Sequence, residues 1–374
     1  MARTFSAVVT LGSERLGEVG PFAVSPEWWA EVGPVVAGLE EVLGVPVTVL
    51  RLLDVVGGDG ARDGHVRYQV EASARPAIAL RPTAFPVADE PLRLPWATAA
   101  GVAELLGWAS SHVRLTGRPV QHKTWNLAGL WRLPVAGGHA WLKATPPFAA
   151  DEAAAIAVLA SVDPDLVPGV LASAPGRVLL ADVPGEDLWQ ATDAQVETTV
   201  RRFVAAQAAV TVRGGLRVRT SEVLAAQVEA VLGRLDLTDE ERKRVRALAP
   251  RWSALDGCGL PDTFVHGDFH PGNWRGTRIL DFADACWGNP VQDGLRAIDY
   301  LPPERRDTAR RVWVSAWEQA APGSRPAEAL RLAEPLAHLA YAVRYQEFLD
   351  NIEPSERIYH AGDPEAVIRH ALAC

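Results

Sequence analysis

The first third of the chain alternates short apolar runs with polar turns, which predicts a small α/β unit. Phe5–Leu11, Val47–Leu53 and His65–Ala72 are rich in β-branched and other apolar residues, and this predicts strands. Between the first two strands, apolar residues recur every three or four positions and predict a helix over residues 28–43. The proline-bearing stretch 75–95 is typical of a linker.

Strand patterns dominate the next stretch, after a helix predicted over residues 97–115. Residues 120–134 and 139–144 predict two antiparallel strands joined by the turn Ala136-Gly137-Gly138. Two more elements are predicted before the pattern changes, a helix over residues 148–159 and a strand over residues 178–180.

From about residue 190 the pattern becomes mainly helical. Thr238 and Glu241 have the spacing of a capping box, which predicts the start of a helix that includes Val245, Leu248 and Trp252. A short strand-like insert over residues 262–282 interrupts the helices. More helices are predicted from Gly294 onwards.

Composition and charge exclude several classes of protein. The chain has 374 residues, 48% of them apolar and 22% charged, which is typical of a globular protein with more than one core. The net charge is −9, without a basic stripe, so no nucleic-acid partner is expected; this charge is compatible with a cationic substrate. No run of eighteen apolar residues and no leader-like pattern is present, so we expect a cytoplasmic protein without a membrane partner. The sequence carries no signal for the oligomeric state.

The three cysteines are Cys258, Cys286 and Cys374. They are far apart and odd in number, whereas disulfide frameworks and zinc sites have closer, paired spacing. The cysteine pattern therefore predicts neither.

Polar residues suited to chemistry are concentrated in the segment 263–300, which contains HGDFHPGN. Asp268 is followed five residues later by Asn273, and eight residues after that Asp281 follows an apolar pair. Phosphoryl transfer from ATP needs an oriented hydroxyl and a metal ion that bridges the phosphates. A carboxylate such as Asp268 can orient the hydroxyl and accept its proton, and Asn273 and Asp281 offer the oxygen ligands that Mg²⁺ prefers.

This segment resembles the aminoglycoside phosphotransferase and choline kinase family. The pattern HGDxHxxN, the aspartate after two apolar residues, and a later glycine and aspartate are all matched. The resemblance implies Asp268 as the catalytic base, Asn273 and Asp281 as magnesium ligands, and His266 and Asp293 as supports of the loop. It covers residues 117–374, tightly over 263–300 and loosely elsewhere.

The resemblance also implies a fold and a set of domains. The fold class is α+β: a bilobal protein kinase-like fold with a small β-rich lobe, a larger helical lobe and an additional N-terminal α/β cap. The predicted division is a cap over residues 1–90, a linker helix over 91–116, the β-rich lobe over 117–182 and the helical lobe over 183–374. The cap lies outside the resemblance.

Nucleotide contacts are implied further upstream. Lys143 would reach the phosphates of ATP and Glu152 would pair with it, with Asp151 and Glu186 as rivals for that second role. The alternative is an ordinary strand lysine and a glutamate favoured by a helix N-terminus. The backbone of the hinge-like residues Ala181, Asp182 and Val183 would meet the adenine.

Two departures from kinase patterns are present. No glycine-rich G-x-G-x-x-G run precedes Lys143, and the loop over residues 125–130 carries only Gly129. Ala283 stands where the DFG motif of protein kinases has glycine, and no A-P-E motif follows. A small-molecule kinase is therefore favoured over a protein kinase.

Acceptor contacts are assigned to His270, Trp287, Glu347 and Asp350. Acidic groups in the late segment 345–363 suit an amine-bearing substrate, and equally suit a solvated helix face. Trp287 either lines a pocket or is a packing residue.

The sequence thus predicts an ATP- and Mg²⁺-dependent phosphotransferase that acts on a hydroxyl of a small molecule, such as an aminoglycoside-like antibiotic or an amino sugar. One alternative is a metal-dependent hydrolase that uses His266, Asp268 and His270, although further ligands at the usual spacing are missing. Another is a nucleotide-binding regulator without activity, which the presence of Lys143, Asp268, Asn273 and Asp281 disfavours.

Overall fold

The computed structural model describes residues 3–25 and 27–374. They form two compact units, each made of several stretches of the chain. The first contains the described residues up to Pro147, with Leu171–Asp182 and Phe348–Ala361. The second contains Phe148–Val170, Val183–Glu347 and Gly362–Cys374.

A four-stranded sheet and a helix form the N-terminal part of the first unit. The elements are β1 (Thr4–Leu11), β2 (Glu14–Ala23), α1 (Gly33–Leu43), β3 (Val47–Val56) and β4 (His65–Ala72). The strand order is β2-β1-β4-β3, with β1 and β4 parallel and the other neighbours antiparallel. β1, β3 and β4 confirm the predicted strands. The helix predicted from residue 28 begins only at Gly33, because Pro34 is suited to the first turn of a helix and not to its interior.

A five-stranded sheet forms the rest of this unit. Its elements are α2 (Ala99–His112), β5 (Val120–Trp125), β6 (Ala128–Val135), β7 (Gly138–Ala144), β8 (Val170–Ala174) and β9 (Arg177–Ala181). The strand order is β5-β6-β7-β9-β8. The single strand predicted over residues 120–134 is wrong: a turn at Asn126 and Leu127 divides it into β5 and β6.

The two sheets of the first unit share apolar packing. Leu50 of β3 lies in the same buried cluster as Trp96, Trp131 and Leu142. The side chain of Gln121 on β5 both donates to and accepts from the backbone of Val49, at 2.8 and 3.0 Å. The N-terminal sheet is therefore packed into the unit that holds the five-stranded sheet, and the separate cap over residues 1–90 stays a prediction.

The second unit is mainly helical. Its helices are α3 (Glu152–Ala160), α4 (Asp193–Ala209), α5 (Ser221–Leu232), α6 (Asp239–Arg246), α7 (Pro250–Asp256), α8 (Val291–Tyr300), α9 (Pro303–Ala320), α10 (Pro326–Asn351, which continues into the first unit) and α11 (Asp363–Ala371). The capping box of Thr238 and Glu241 at the start of α6 is confirmed. Trp252 belongs to a separate helix, α7, which begins at Pro250. Among the described residues, no helix is both long enough and apolar enough to cross a bilayer.

Short strands hold the HGD motif in place. They are β10 (Arg217–Arg219), β11 (Thr263–Val265), β12 (Trp274–Arg275), β13 (Arg278–Ile279) and β14 (Cys286–Gly288). A small sheet has the order β10-β14-β11, and β12 and β13 form a hairpin. Because β11 ends at Val265 and β12 begins at Trp274, the motif is a loop fixed at both ends by strand pairing.

Candidate active site

The carboxylate of Asp268 is oriented by side chains from its own loop and from α8. The Nε of Arg296 donates to Oδ1 at 2.8 Å, and the Nη2 of Arg296 lies 2.6 Å from the same oxygen. The Nε2 of His270 lies 3.2 Å from Oδ2, and the amide nitrogen of Asn273 donates to Oδ2 at 3.1 Å. Both oxygens of the carboxylate thus accept hydrogen bonds from N–H groups. These bonds fix the orientation of the carboxylate, so a further donor can approach it from few directions.

These partners also set the charge of Asp268. Burial alone would raise its pKa, but Arg296 and then His270 favour the ionised form, and the net pKa lies well below the ordinary value. Asp268 is therefore ionised at neutral pH, and it is a weak base. That suits phosphoryl transfer, in which the protein contributes chiefly position and electrostatic stabilisation.

The β12–β13 hairpin joins Asn273 to Leu280, the residue before Asp281. Trp274 pairs with Ile279, and the next residue, Leu280, donates its N–H to the carbonyl of Asn273 at 2.8 Å. Asn273 uses its amide nitrogen on Asp268, so its side-chain oxygen is the atom suited to a cation. Asp281 is exposed, with a left-handed φ of 65°. This donor set contains only oxygens and fits Mg²⁺.

His266 connects the Asp268 loop to the strand that leads to Asp281. Its Nδ1 accepts from the backbone N–H of Asp268 at 3.2 Å, and its Nε2 donates to the carbonyl of Leu280 at 3.0 Å. The side chain is fully buried, and burial lowers its pKa, so the ring is neutral. These contacts are compatible with the support role that the resemblance implies for His266.

Asp293 at the start of α8 holds the other side of the loop. Its Oδ2 accepts from the backbone N–H of His266 at 2.8 Å, and its Oδ1 accepts from that of Gly267 at 2.9 Å. The Nε2 of Gln207 on α4 also donates to Oδ2, at 2.9 Å. Burial raises the pKa of Asp293 to about 7, although these donors act in the opposite direction. Asp293 thus ties the loop to two helices.

We expect Gly267→Ala to destabilise the loop. Gly267 has a φ of 81°, and a Cβ there would lie 2.5 Å from the carbonyl oxygen of Asp284. Such backbone strain costs about 1–3 kcal/mol, so the melting temperature and the turnover should both fall. Gly233→Ala is the control, because no atom lies within 4 Å of its added Cβ and its φ is −73°. A Gly267→Ala variant as stable and as active as Gly233→Ala would contradict this account of the loop.

An aromatic stack lies beside Asp268. The ring of His270 is stacked between Trp189 and Tyr300, with centroid distances of 5.0 and 5.2 Å. Trp189 is 45% exposed and Tyr300 is 43% exposed. The stack fixes the ring of His270 against Asp268 and presents apolar faces to solvent next to the carboxylate.

The predicted nucleotide residues lie in both units. Lys143 is a buried residue of β7 in the first unit. Glu152 begins α3 in the second unit, and its Oε1 accepts from the backbone N–H of Phe282, next to Asp281, at 3.2 Å. Asp151 caps α3 by accepting from the N–H of Ala154 at 3.1 Å. Pairing of Lys143 with Glu152 stays a prediction.

The hinge-like residues follow β9. Ala181 is the last residue of β9, and Val183 is buried. The Oδ1 of Asp182 accepts from the indole N–H of Trp141 at 2.6 Å, which fixes this side chain within the first unit. Contact of their backbone with adenine stays a prediction.

The remaining acceptor candidates have different surroundings. Trp287 is the central residue of β14 and is partly buried. Asp350 is exposed near the end of α10. The carboxylate of Glu347 accepts from three arginines, Arg217, Arg219 and Arg344. Because its charge is compensated, Glu347 is less suited to a cationic acceptor than the sequence suggests, and the roles of Trp287 and Asp350 stay predictions.

Arg296 is a site residue that the sequence analysis missed. It lies three positions after Asp293 on α8, so the two residues share one side of the helix. This spacing could have indicated Arg296 from the sequence. If Asp293 holds the loop, then residue 296 lies on the side of the same helix that faces the loop. The guanidinium of Arg296 lies 4.0 Å from the ring centroid of Tyr300 and 4.9 Å from that of Tyr341, two further residues that the sequence analysis missed.

The sequence profile of the phosphotransferase enzyme family matches residues 136–330, just over half of the chain. The match contains Lys143, the whole HGD loop and α8. The chain belongs to this phosphotransferase family. No curated protein matches the chain.

Solved structures similar to this phosphotransferase have the same kinase-like fold. A choline kinase from Streptococcus pneumoniae has a TM-score of 0.55 and 10% identity, and the match covers 73% of this chain and 99% of that one. A choline/ethanolamine kinase family protein from Mesorhizobium loti has a TM-score of 0.52 and 16% identity, with 72% and 98% covered. A macrolide 2′-phosphotransferase from Brachybacterium faecium has a TM-score of 0.50 and 20% identity, with 70% and 97% covered. At these identities the likeness concerns the fold alone.

The hydrogen bonds of the loop do not favour the alternative of a metal hydrolase. Both ring nitrogens of His266 are engaged, one by the N–H of Asp268 and one by the carbonyl of Leu280. The Nδ1 of His270 accepts from the N–H of Gly272 at 3.0 Å, and its Nε2 faces Asp268. A histidine ligand needs a ring nitrogen with an available lone pair, and these rings direct theirs to protein N–H groups.

We expect Arg296→Met to lower kcat/KM of this phosphotransferase by about ten- to a hundredfold, because Asp268 loses the cation that orients it. Removing that charge disfavours the ionised carboxylate, so the pKa of Asp268 rises and the acid limb of the pH–rate profile moves to higher pH. Arg296→Lys keeps the charge and should restore part of the loss.

Arg305→Met is the matched control, since Arg305 donates to the exposed Asp193 elsewhere in the second unit. An acid limb at the same pH in Arg296→Met and Arg305→Met would contradict the proposed effect on Asp268.

Proposed function

We propose that the protein transfers the γ-phosphoryl group of ATP to a hydroxyl group of a small molecule. The observation that carries this proposal is the set of N–H donors on Asp268, from Arg296, His270 and Asn273, on a loop that the β12–β13 hairpin joins to Asp281. Membership of the phosphotransferase family supports the reaction class.

In this mechanism Asp268 accepts a hydrogen bond from the acceptor hydroxyl and receives its proton as the oxygen binds the γ-phosphorus. The bond between that phosphorus and the bridging oxygen breaks, and ADP leaves with the electron pair. Arg296 and His270 keep the carboxylate ionised until it receives this proton, and they hold its orientation.

Asn273 and Asp281 are proposed to hold Mg²⁺, which when bound would neutralise negative charge on the phosphate groups. His266 and Asp293 fix the loop from both sides by the hydrogen bonds described above. Lys143, paired with Glu152, and the backbone of residues 181–183 are proposed to bind the nucleotide.

The proposed acceptor is an amine-bearing, hydroxylated small molecule, such as an aminoglycoside-like antibiotic or an amino sugar. The exposed indole of Trp189 beside Asp268 suits the apolar face of a sugar ring and attracts cations. The net charge of −9 adds a favourable field for such a molecule. Two proteins of the same fold are named as a choline kinase and a macrolide 2′-phosphotransferase.

The test is an acceptor screen with ATP and Mg²⁺. Aminoglycosides, amino sugars, macrolides, choline and neutral sugars are incubated with the enzyme, and products are identified by the mass gain of one phosphoryl group. We expect amine-bearing acceptors to be phosphorylated and the Asp268→Asn enzyme to be inactive on them. ADP formation that is independent of every acceptor and equal in Asp268→Asn would contradict the proposal.

A further inference from the structure

Two histidines and a cysteine meet in the second unit outside the Asp268 loop. They are His338 on α10, His370 on α11 and Cys374 just after α11. One ligand atom from each lies within 4.8 Å of the other two. Within residues 3–25 and 27–374, no other three histidine, cysteine or acidic residues are grouped in this way.

Two elements build this cluster. The imidazole rings of His338 and His370 have centroids 4.3 Å apart, with an angle of 53° between their planes. Cys374 follows His370 by four positions, and its backbone N–H lies 3.3 Å from the carbonyl of His370, so the helical turn continues past α11. The Sγ of Cys374 also lies 3.3 Å from that carbonyl. His370 and Cys374 therefore project from the same side of one helical turn.

We propose that His338, His370 and Cys374 form a zinc site that is separate from the phosphotransfer site. Imidazole nitrogens and a thiolate are typical zinc ligands. In a tetrahedral site with bonds of about 2.0 Å to nitrogen and about 2.3 Å to sulfur, the ligand atoms lie about 3.3–3.6 Å apart. The three groups need to approach by only about 1 Å, and His370 and Cys374 are exposed and free to change rotamer.

The carboxylates of Glu334 and Asp299 lie near the Cys374 thiol, and so does the guanidinium of Arg251. Glu334 precedes His338 by four positions on α10, so it lies one turn away on the same face, but its carboxylate does not belong to the group of atoms within 4.8 Å. Water is therefore the ligand suited to the fourth coordination position.

The consequence of zinc binding would be structural. The ion would connect α11 to α10 through side chains from both helices. His338 lies three positions before Tyr341, whose ring is packed against Arg296, so the ion would brace the part of α10 that supports the Asp268 loop. The site needs no nucleotide, and it does not depend on the proposed acceptor.

The test uses the full chain, freed of metal by dialysis against a chelator and then titrated with Co²⁺ or Zn²⁺ in excess Mg²⁺. Thiolate ligation of Co²⁺ gives a sulfur-to-metal charge-transfer band. Cys258 and Cys286 are buried, so this band reports on Cys374. We expect one metal ion per chain and a higher melting temperature with zinc, because a ligand of the folded state stabilises it.

Three variants locate the ion and two are controls. Cys374→Ser should abolish the charge-transfer band, and His338→Ala and His370→Ala should each weaken zinc binding by about tenfold or more. His139→Ala removes an exposed histidine of the first unit, and Asp281→Asn alters the oxygen site; both should bind zinc like the wild type. The proposal is overturned if the band is absent in the wild type, or if Cys374→Ser and His370→Ala keep wild-type zinc affinity.

Discussion

Replacing Asp268 by asparagine is expected to lower kcat by about 10²–10⁴-fold, the usual range for loss of a general base. Asparagine has the same shape but cannot receive the proton of the acceptor hydroxyl. The affinity for ATP and Mg²⁺ should change little, because Asp268 is assigned to the acceptor and not to the nucleotide. Steady-state kinetics give the first quantity, and calorimetry of nucleotide binding gives the second.

The stability of this variant has to be measured as well. Arg296 is largely buried beside Asp268, with side-chain exposures of 16% and 22%, and asparagine leaves the guanidinium without its counter-charge. A lower melting temperature is therefore expected, and turnover is compared at a temperature where the variant is folded. Asp193→Asn is the control, because it removes an exposed carboxylate of the same unit that pairs with Arg305. Turnover of Asp268→Asn within tenfold of this control would exclude Asp268 as the base.

The arrangement within the HGD loop could be predicted because it is local. Asp268 and Asn273 are five residues apart, and a hairpin of two short strands joins Asn273 to Asp281. Short loops between paired strands leave few conformations, so spacing along the chain indicates spacing in the fold. The resemblance to a family added roles for His266 and Asp293, and their hydrogen bonds fit those roles.

The partners of this loop from elsewhere in the chain could not be predicted in the same way. Gln207 is 86 positions from Asp293, and Tyr341 is 45 positions from Arg296. These contacts depend on how α4, α8 and α10 pack, which hydrophobic periodicity does not specify. The same holds for Leu50. The apolar run around it predicts a buried strand, but it does not predict that this strand packs against β6 and β7.

The proposed zinc site would have ligands that the cysteine pattern of the sequence cannot indicate. Spacing rules for metal sites examine ligands that are close in sequence. His338 lies 32 positions before His370, on another helix, and Cys374 is the single cysteine of the group. Only helix packing brings these three residues together, so the absence of paired cysteines in the sequence gave no information about this site.

Replacing Asp281 by glycine is expected to remove the magnesium dependence of nucleotide binding while the fold is retained. Asp281 adopts a φ of 65°, a left-handed conformation that is unfavourable for most side chains and readily adopted by glycine. The substitution therefore deletes the proposed metal ligand without adding backbone strain. We expect the affinity for ATP in Mg²⁺ to fall to the value measured in EDTA, and turnover to be lost.

Two further variants separate the ligand from the backbone. Asn tolerates a left-handed φ and keeps one side-chain oxygen, so Asp281→Asn should retain more magnesium-dependent affinity than Asp281→Gly. Asp281→Ala lacks the metal ligand, so it should bind ATP like Asp281→Gly. Alanine also tolerates this φ poorly, so the free energy of unfolding should be lower than that of Asp281→Gly by about 1 kcal/mol, and the melting temperature should be lower too. Calorimetry with and without Mg²⁺ and thermal unfolding measure these quantities. If Asp281→Gly bound ATP with unchanged magnesium dependence, Asp281 would not be a metal ligand, and the strain at this residue would need another cause.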